Sequence, residues 1–544
     1  MKKLILYCLL AAVFLSGCGA ETGNKVKPSK RDNSSVTSTV DSSEVSSISD
    51  DNNSTEASTG DDYNDASQLA GSLSVSVNVK KADKTKKEIL PTENTADLLN
   101  PKIAVMGGAN TEAKTLRKKI RNAKDSITPG GNVYYVSANG TDENDGRSSA
   151  KAFKSISAAI NIAEKGDTIL IERGSVFRLS QGLTLQNGVK YGAYGNGPKP
   201  EIWGSPENYA NYGIWSPHDI KNIWKMNYSR SDVGLIVFDH GKLAGNMKYY
   251  IRDLKKDGDF YFDETKKTLY IYNSGGNPGK TYSDIEIGSR NVLFRIKDGG
   301  SDIQIDNLAF RYTGTFAIRG SAGCRNIKIT NCEIGWIGGS LFDDGSNRYG
   351  NGIEFTYGCQ DITVENCWIY QIYDAGFTFQ ISGDEDVRYH TFKNIAVKNN
   401  LFEYCSWPYE WWIASNTHIV QNISISNNIM RYTGYGFAGY ERHPAHIRGP
   451  WEIIPIKTEN FSVDNNIFDC VNGSLYAWTL PYDTQPGMTI SRNSYYQRKA
   501  TSPENAPFMA LCKENQGKYA ANQSELETAV ACMDANPKLV KWLK

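Results

Sequence analysis

The residues best suited to chemistry are two carboxylates, one of which lies among large aromatic side chains. Glu410 occupies the segment CSWPYEWWIA (405–414), and Asp374 occupies QIYDAG, upstream of it. Burial among rings penalises the charged form of a carboxylate and raises its pKa, as a general acid requires. We predict that Glu410 donates a proton and that Asp374, at a more open corner, acts as the nucleophile or base.

Both acids also have a structural interpretation. Glu410 could bind the backbone or an arginine at a corner of the fold, and Asp374 could hold the turn before Ala375. The substitute candidates are Asp343 and Asp344, in the loop GSLFDDGSNRYGNG. Paired carboxylates in a loop could also chelate calcium, which prefers oxygen ligands.

An internal repeat identifies the elements that must position these residues. Six segments show the apolar alternation of a strand: DIQIDNLAF (302–310), NIKITNCEI (326–334), DITVENCWI (361–369), NIAVKNNLF (394–402), NISISNNIM (422–430) and NFSVDNNIF (460–468). GMTISRNSYY (487–496) is a weaker seventh. Each of the six contains an asparagine at the same place: Asn307, Asn331, Asn366, Asn399, Asn427 and Asn465. A constant pattern at variable spacing predicts stacked coils whose loops differ in size.

Stacking is required because one such unit cannot bury its own inner face. Asparagine tolerates the left-handed backbone conformation, so we expect the six asparagines at one corner of every coil, forming a ladder. These features resemble the right-handed parallel β-helix of the pectate-lyase-like superfamily. We therefore predict an all-β fold, a right-handed parallel β-helix solenoid over residues 101–502. That fold supports lyases, hydrolases, epimerases and adhesins, so it does not select the chemistry.

Three further elements are predicted around the solenoid. Apolar residues at helical spacing predict an N-terminal capping helix over 111–127, and SELETAVACMDA predicts a C-terminal cap within 503–544. Two alternating strands in DGDFYFDETKKTLYIYNSGG predict a small antiparallel β insertion at about 203–290. The insertion and the opening YYVSANGTDENDG resemble glycoside hydrolase families 120 and 141. In family 120 an Asp and a Glu on neighbouring coils perform catalysis, which the resemblance carries over to Asp374 and Glu410.

Strand alternation places Glu410 on an outer face. The residues expected to point inward are Ile353, Phe355, Phe377, Phe379, Trp411 and Ile413. Gly352 and Gly376, on neighbouring coils, are expected to leave space beside Glu410 for a ligand. Aromatic rings near Glu410 suit the apolar faces of sugar rings, and polar neighbours supply hydrogen bonds. The predicted substrate contacts of this region are Glu354, Gln380, Tyr409, Trp412 and Tyr440.

The loop YERHPAHIRGPWE (440–452) adds four further candidates, namely Glu441, His443, His446 and Arg448. Histidine and arginine beside a sugar cleft suit an anionic substrate, or proton abstraction next to a carboxylate. The alternative is a solvated loop that closes its coil. This loop therefore keeps a second enzymatic interpretation open, a polysaccharide lyase or C5-epimerase that acts on uronates.

The N-terminus predicts export. MKKLILYCLLAAVFLSGC has two lysines, a short apolar run and Leu-Ser-Gly-Cys, which resembles the bacterial lipoprotein box. We expect a signal peptide at 1–17 and lipidation of Cys18, which would anchor the protein at the cell surface without spanning the membrane. Residues 18–100, rich in Ser, Thr and Asp, are expected to form a disordered tether.

Composition argues against nucleic acid as a partner. The 60 basic and 60 acidic residues balance, so the chain lacks the excess positive charge typical of nucleic-acid-binding proteins. Cys332 and Cys367 are expected to stack in the core, and no cysteine spacing resembles a zinc site. The acidic turn DENDG (142–146) is interpreted as an Asx-type turn. We expect a monomer without a cofactor or resident metal, although acidic loops could bind calcium.

Three functions follow in order of preference. The first is a surface glycoside hydrolase that cleaves a plant-type polysaccharide or oligosaccharide with the Asp374–Glu410 pair. The second is the uronate lyase or epimerase. The third is a surface glycan-binding protein without catalysis, which would need the aromatic platform but not both carboxylates.

Overall fold

The computed structural model describes residues 88–341, 347–381, 391–413, 417–438, 442–449, 456–477, 487–499 and 520–544. The predicted signal peptide, Cys18 and the tether up to residue 87 lie outside these ranges, as do Asp343, Asp344, Tyr440 and Glu441. Within the described residues, no helix combines the length and the hydropathy that a membrane span needs.

The predicted repeat segments form one parallel sheet, here called sheet A. The strands pair in chain order and in register, so equivalent residues of successive coils lie side by side. Its strands are Val133–Val136, Thr168–Glu172, Lys190–Tyr194, Ser301–Asp306, Cys324–Thr330, Cys359–Glu365, Thr391–Lys398, Ile419–Ser426, Lys457–Asp464 and Met488–Ser491.

Two more parallel sheets complete each coil and share two long, bent strands, Trp368–Ile381 and Leu401–Ile413. Sheet B contains their first halves together with Val176–Arg178, Glu201–Trp203, Ala309–Thr313, Glu333–Ile337, Ile429–Thr433, Ile467–Val471, Ser494–Gln497 and Leu539–Trp542. Sheet C contains their second halves together with Leu183–Thr184, Val292–Ile296, Phe316–Gly320, Ile353–Thr356, Ala445–Arg448 and Ser474–Ala477. The right-handed parallel β-helix predicted from the sequence is confirmed.

The asparagine corner forms as predicted, but the continuous ladder lies one residue later. The six repeat asparagines have φ between 53° and 61°, the left-handed conformation that asparagine tolerates. That conformation turns the following side chain into the core. There Asn400 donates to Asn428 Oδ1 (3.0 Å), Asn428 to Asn466 (3.0 Å) and Asn466 to Asn493 (3.1 Å). The ladder ends on Asp534, which accepts from Asn493 Nδ2 at 3.0 Å.

Earlier coils place cysteine at the ladder position. Cys332 and Cys367 are fully buried free thiols in the main core, as the sequence predicted. Small apolar side chains therefore fill this column in the first coils and amides fill it in the later ones.

The helices differ in their relation to the stack. Helix α1, Asn110–Arg121, lies along the outer face of sheet B, because Arg117 binds Glu403 at 2.6 and 2.7 Å and Arg121 reaches Glu333 at 3.0 Å. Helix α2, Ile156–Ile162, instead covers the N-terminal end of the solenoid and contributes to the main core. The capping helix is therefore α2, and the helix predicted at 111–127 packs on the side.

Residues 88–100, which we assigned to the tether, pack against the solenoid. Asp97 pairs with Arg117 at 2.7 Å and accepts a hydrogen bond from Tyr404 Oη at 2.8 Å. Ala96 is fully buried, and its carbonyl accepts from Gln371 Nε2 at 3.1 Å. Single-turn 3-10 helices occur at Thr95–Asp97 and Ile103–Val105. The boundary predicted at residue 100 was wrong, because the few residues of 88–100 that contact the solenoid are separated by polar residues and form no recognisable pattern.

The antiparallel insertion lies between Trp203 and Val292 and has its own apolar core. Its strands are Ser216–Pro217, Ile223–Asn227, Val233–Phe238, Leu243–Ala244, Asn246–Met247, Asp259–Asp263, Thr268–Tyr272 and Ile285–Ser289. The predicted hairpin is its centre, with Phe260 opposite Ile271. Its short helices are α3, Pro278–Thr281, and the 3-10 turns Tyr212–Ile214, Asp239–Gly241 and Ile251–Asp253. A 3-10 turn also occurs at Ser149–Lys151, outside the insertion.

Helix α4, Gln523–Ala531, closes the C-terminal end. Its Leu526, Ala529 and Val530 join the main core. A small antiparallel pair, Ser340–Leu341 with Arg348–Tyr349, packs against the insertion, where Leu341 N and Arg348 both bind Asp232.

The ladder makes a stability prediction. Asn428 accepts from Asn400 N and Nδ2 and donates to Val397 O and Asn466 Oδ1, so Asn428→Ala leaves several buried groups without partners. Each orphaned group costs about 1–3 kcal/mol, and we expect a total loss of about 2–5 kcal/mol in the free energy of unfolding. Urea unfolding followed by circular dichroism measures it.

Ser424→Ala is the matched control for this change. It removes a partly exposed hydroxyl on the strand Ile419–Ser426, just before Asn428, and should cost less than about 0.5 kcal/mol. Equal losses for the two variants would contradict a stabilising role for the ladder.

Candidate active site

The outer surface of sheet C carries one row of polar residues across five coils. The strand register pairs Arg319 with Glu354, Glu354 with Thr378, Thr378 with Glu410, and Glu410 with Arg448. Neighbouring positions in a parallel sheet are about 4.8 Å apart, so the row brings charges of both signs into contact range. Glu410 lies on the outer face, as the alternation of its strand predicted.

Glu410 is nevertheless almost closed to solvent, with 3% of its surface exposed. Thr378 Oγ1 donates to Glu410 Oε2 at 3.3 Å, and Arg448 Nε lies 3.4 Å from Oε1. Burial raises the pKa of Glu410 to about 7, and the positive charge of Arg448 opposes this shift. The nearby Asp374 carboxylate adds to the rise. Near neutral pH Glu410 can therefore retain a proton that an ordinary glutamate would have lost.

Asp374 is equally buried but is held differently. Arg442 Nε lies 2.7 Å from Asp374 Oδ1, and Arg442 Nη2 donates to Oδ2 at 3.2 Å. Gly350 N donates to the same Oδ2 at 3.1 Å. Burial raises the pKa of Asp374, while Arg442 and the Gly350 amide act in the opposite direction. Asp374 Oδ1 accepts no hydrogen bond from the described residues, although Arg442 compensates its charge.

Aromatic rings hold both guanidinium groups in place. Arg448 lies 3.7 Å from the Trp407 ring centre and 5.5 Å from that of Trp412. Arg442 lies 5.1 Å from the Tyr373 ring and 5.6 Å from Trp407. Trp407 also donates its indole N–H to the His443 carbonyl at 2.8 Å, which fixes the ring. The planar cations can therefore stack on rings while they face the carboxylates.

Glu354 and Gln380 form a supporting network beside this centre. Glu354 accepts from Arg319 Nε (2.9 Å), Asn351 Nδ2 (2.5 Å) and Gln380 Nε2 (2.7 Å). Asn351 in turn accepts from Ala375 N at 2.8 Å, directly after Asp374. The network links the position of Asp374 to the polar row.

Two predicted substrate contacts are wrong because they lie in the core. Tyr409 is fully buried and stacks on Phe377, with ring centres 5.6 Å apart. His446 is fully buried between Thr433 and Phe468, and burial lowers its pKa to about 3. Tyr409 has the same strand parity as Trp411, which the alternation placed inside. His446 cannot exchange protons with a substrate near neutral pH.

The prediction that Gly352 and Gly376 leave space for a ligand was also wrong, because both positions face the core. A side chain at Gly376 would meet Phe402 and the Pro408 carbonyl, and one at Gly352 would meet Ile369 and Gly376. The shared strands bend between 372 and 375, where the pairing register shifts, and residues just after the bend face inward. These glycines serve the core, and the in-register neighbours of Glu410 are Thr378 and Arg448.

The remaining candidates fall into three groups. Trp412 is half-buried on the outer face of sheet C, two positions after Glu410, and Gln380 is its partner in register. His443 is exposed, and Arg448 contacts Glu410 as described. Tyr440, Glu441, Asp343 and Asp344 lie outside the described residues.

The DENDG turn behaves as an Asx-type turn. Asp142 Oδ1 accepts from the amides of Lys154 and Ser155, and Asp145 Oδ1 accepts from Arg147 N. Among the described residues, no group of three or more Asp, Glu, His or Cys side chains is arranged to hold a metal ion. Calcium binding stays a prediction.

Sequence reasoning missed the roles of Arg442 and Trp407. Arg442 lies in the loop YERHPAHIRGPWE, but chain order does not show that it reaches Asp374. Trp407 belongs to the aromatic segment around Glu410, but its strand parity is that of the buried Tyr409, so alternation alone did not indicate its contact with Arg448.

No protein-family model and no curated protein matches the chain. Similar solved structures include XylC in complex with xylose, with 15% identity, 70% of this chain and 72% of that chain covered, and a TM-score of 0.42. A glycoside hydrolase matches at 10% identity over 76% and 96%, with a TM-score of 0.41. The GH136 lacto-N-biosidase from Eubacterium ramulus matches at 16% identity over 75% and 68%, with a TM-score of 0.36.

The raised pKa of Glu410 predicts a pH-dependent stability difference. The ordinary pKa is 4.5, so between about pH 4.5 and 7 the folded chain holds a proton that the unfolded chain releases. Stability from this group is therefore complete below that window and declines as pH rises through it. Glu410→Gln cannot ionise, so its Tm should rise relative to the natural chain between pH 5 and 8, measured by differential scanning fluorimetry.

Ser424→Ala, which removes no titratable group, provides the control for this comparison. Its Tm difference from the natural chain should not change with pH. A pH-independent difference for Glu410→Gln as well would contradict the raised pKa.

Proposed function

We propose that this protein is a glycoside hydrolase with Glu410 as general acid and Asp374 as the second carboxylate. The observation that carries the proposal is the contrast between two adjacent buried acids. Burial raises the pKa of both acids, that of Glu410 to about 7 beside a threonine and a loosely placed arginine, whereas Asp374 is held against a guanidinium that favours its charged form. Glycoside hydrolysis uses two neighbouring carboxyl groups in different roles, one as the proton donor and one in the charged form.

In the proposed reaction, Glu410 protonates the glycosidic oxygen as the bond to the anomeric carbon breaks. Asp374 acts in its charged form, which the contact with Arg442 favours although burial raises its pKa, and its Oδ1 either attacks the anomeric carbon or takes a proton from the attacking water. Trp412 offers a ring face for the sugar, and Gln380 offers polar contacts beside it. The two routes give opposite anomers, which proton NMR of the first product distinguishes.

A uronate lyase or epimerase is the second candidate, and the two arginines favour it. Arg442 and Arg448 would offset the carboxylate of an acidic sugar, and the exposed His443 is available as a base. A glycan-binding protein without catalysis is the third. We also propose that the chain works outside the cell, anchored through lipidated Cys18.

The first test uses the full chain on a polysaccharide panel, with and without a chelator. New reducing ends without ultraviolet absorbance of unsaturated uronate support hydrolysis. Absorbance instead indicates the lyase, and abolition by the chelator indicates that it needs a metal. Binding to a glycan without any product would contradict both enzymatic proposals.

On an identified substrate, Glu410→Gln should lower kcat by about 10²–10⁴-fold, because the proton donor is lost. Asp374→Asn should lower it at least as far. Glu365→Gln, on the outer side of sheet A away from the site, is the matched acidic control and should stay near natural activity. Retained turnover in Glu410→Gln would refute its role as the acid.

The pH profile is a separate prediction. A general acid works only when protonated, so kcat/KM should fall as pH rises through about 7, following the pKa of Glu410. Initial rates across pH 4–9 measure it. A profile flat to pH 9 would assign the acid to another group.

A further inference from the structure

Two exposed tyrosines lie beside the candidate active site. In the described part of the chain four tyrosines are conspicuously exposed: Tyr212 (61%), Tyr249 (60%), Tyr250 (54%) and Tyr349 (41%). Two of them, Tyr249 and Tyr349, are next to Arg348. Large aromatic rings held in solvent beside a catalytic centre indicate a binding surface rather than core packing.

Tyr349 adjoins the carboxylate pair directly. The next residue along the chain, Gly350, donates its amide to Asp374 Oδ2 at 3.1 Å. Tyr349 also lies near enough to Arg448 to affect the pKa of its guanidinium group. The ring therefore stands at the rim of the centre formed by Asp374, Glu410 and Arg448.

Tyr249 reaches the same rim from the antiparallel insertion. Arg348 lies 6.0 Å from the Tyr249 ring centre and pairs with Asp232, also of the insertion, at 2.7 Å. The Arg348 carbonyl accepts from Arg442, the residue that holds Asp374. Arg348 thus connects the Tyr249 ring on the insertion to the catalytic side of the solenoid. Its contacts with Asp232 and Arg442 fix its position.

We propose that Tyr349 and Tyr249 form a subsite for further sugar units of the glycan bound at the Asp374–Glu410 pair. Both rings are exposed, and both lie beside Arg348, since Tyr349 follows it in the chain and Tyr249 faces its guanidinium. The ligand class is an oligosaccharide, whose C–H faces stack on the rings. The inference rests on the proposed function and extends it from single sugars to chains.

The experiment uses the full chain with xylo-oligosaccharides and oligogalacturonides of about two to six units. Turnover and calorimetric affinity are measured for the natural protein, Tyr249→Ala, Tyr349→Ala and Tyr212→Ala. Tyr212 is as exposed as Tyr249 and lies on the same insertion, but it faces Lys280, so it is the matched control. We expect the natural protein to bind longer oligosaccharides more tightly than disaccharides. Tyr249→Ala should weaken the affinity for the longer oligosaccharides about five- to tenfold and leave the affinity for disaccharides unchanged.

The outcomes separate the two proposals. If the natural protein turns over a substrate and Tyr249→Ala shows the same dependence on oligosaccharide length, the subsite proposal is overturned and the hydrolase proposal stands. If affinity rises with oligosaccharide length only when Tyr249 is present, and no product forms, the subsite proposal is supported and the hydrolase proposal is overturned. An equal loss in Tyr212→Ala, or no length dependence in either series, overturns the subsite.

Discussion

In-register pairing of parallel strands is the constraint on which the rest of this structure depends. Once the coils stack, each residue type is repeated or complemented at the same position of the next coil. In the core this produces the amide ladder from Asn400 to Asp534, whose members satisfy one another. On the outer face of sheet C it produces the polar row from Arg319 to Arg448. The same geometry supplies both the stability and the proposed reactive groups.

Charge compensation makes this concentration of buried acids tolerable. Burying a lone carboxylate is expensive, and an arginine nearby offsets that cost only when its geometry is favourable. Asp374 has two contacts from Arg442 and one from a backbone amide, whereas Glu410 has one distant guanidinium nitrogen and one hydroxyl. The difference leaves Glu410 near the protonated form. A better ion pair would stabilise the fold and remove the proposed acid.

The elements outside the solenoid position the centre from two directions. Residues 88–121 cover the outer face of sheet B, where Arg117 and Glu403 form a buried pair, so this face is closed to a ligand. The insertion reaches the side of sheet C through the Asp232–Arg348 pair. Its attachment beside Asp374 gives the additional strands a functional position as well as a core of their own.

Local pattern determined the repeat, the left-handed corner asparagines, the buried Cys332 and Cys367, the insertion hairpin and the outward position of Glu410. Each of these depends on residues a few positions apart, which strand alternation and backbone preference control. Tertiary structure decided the rest. The bend after Ile372 turned Gly376 toward the core, and the folded loops brought Arg442 to Asp374 and Arg348 to Tyr249. Loops of unequal length separate these partners along the chain, so no spacing in the sequence specifies that they meet.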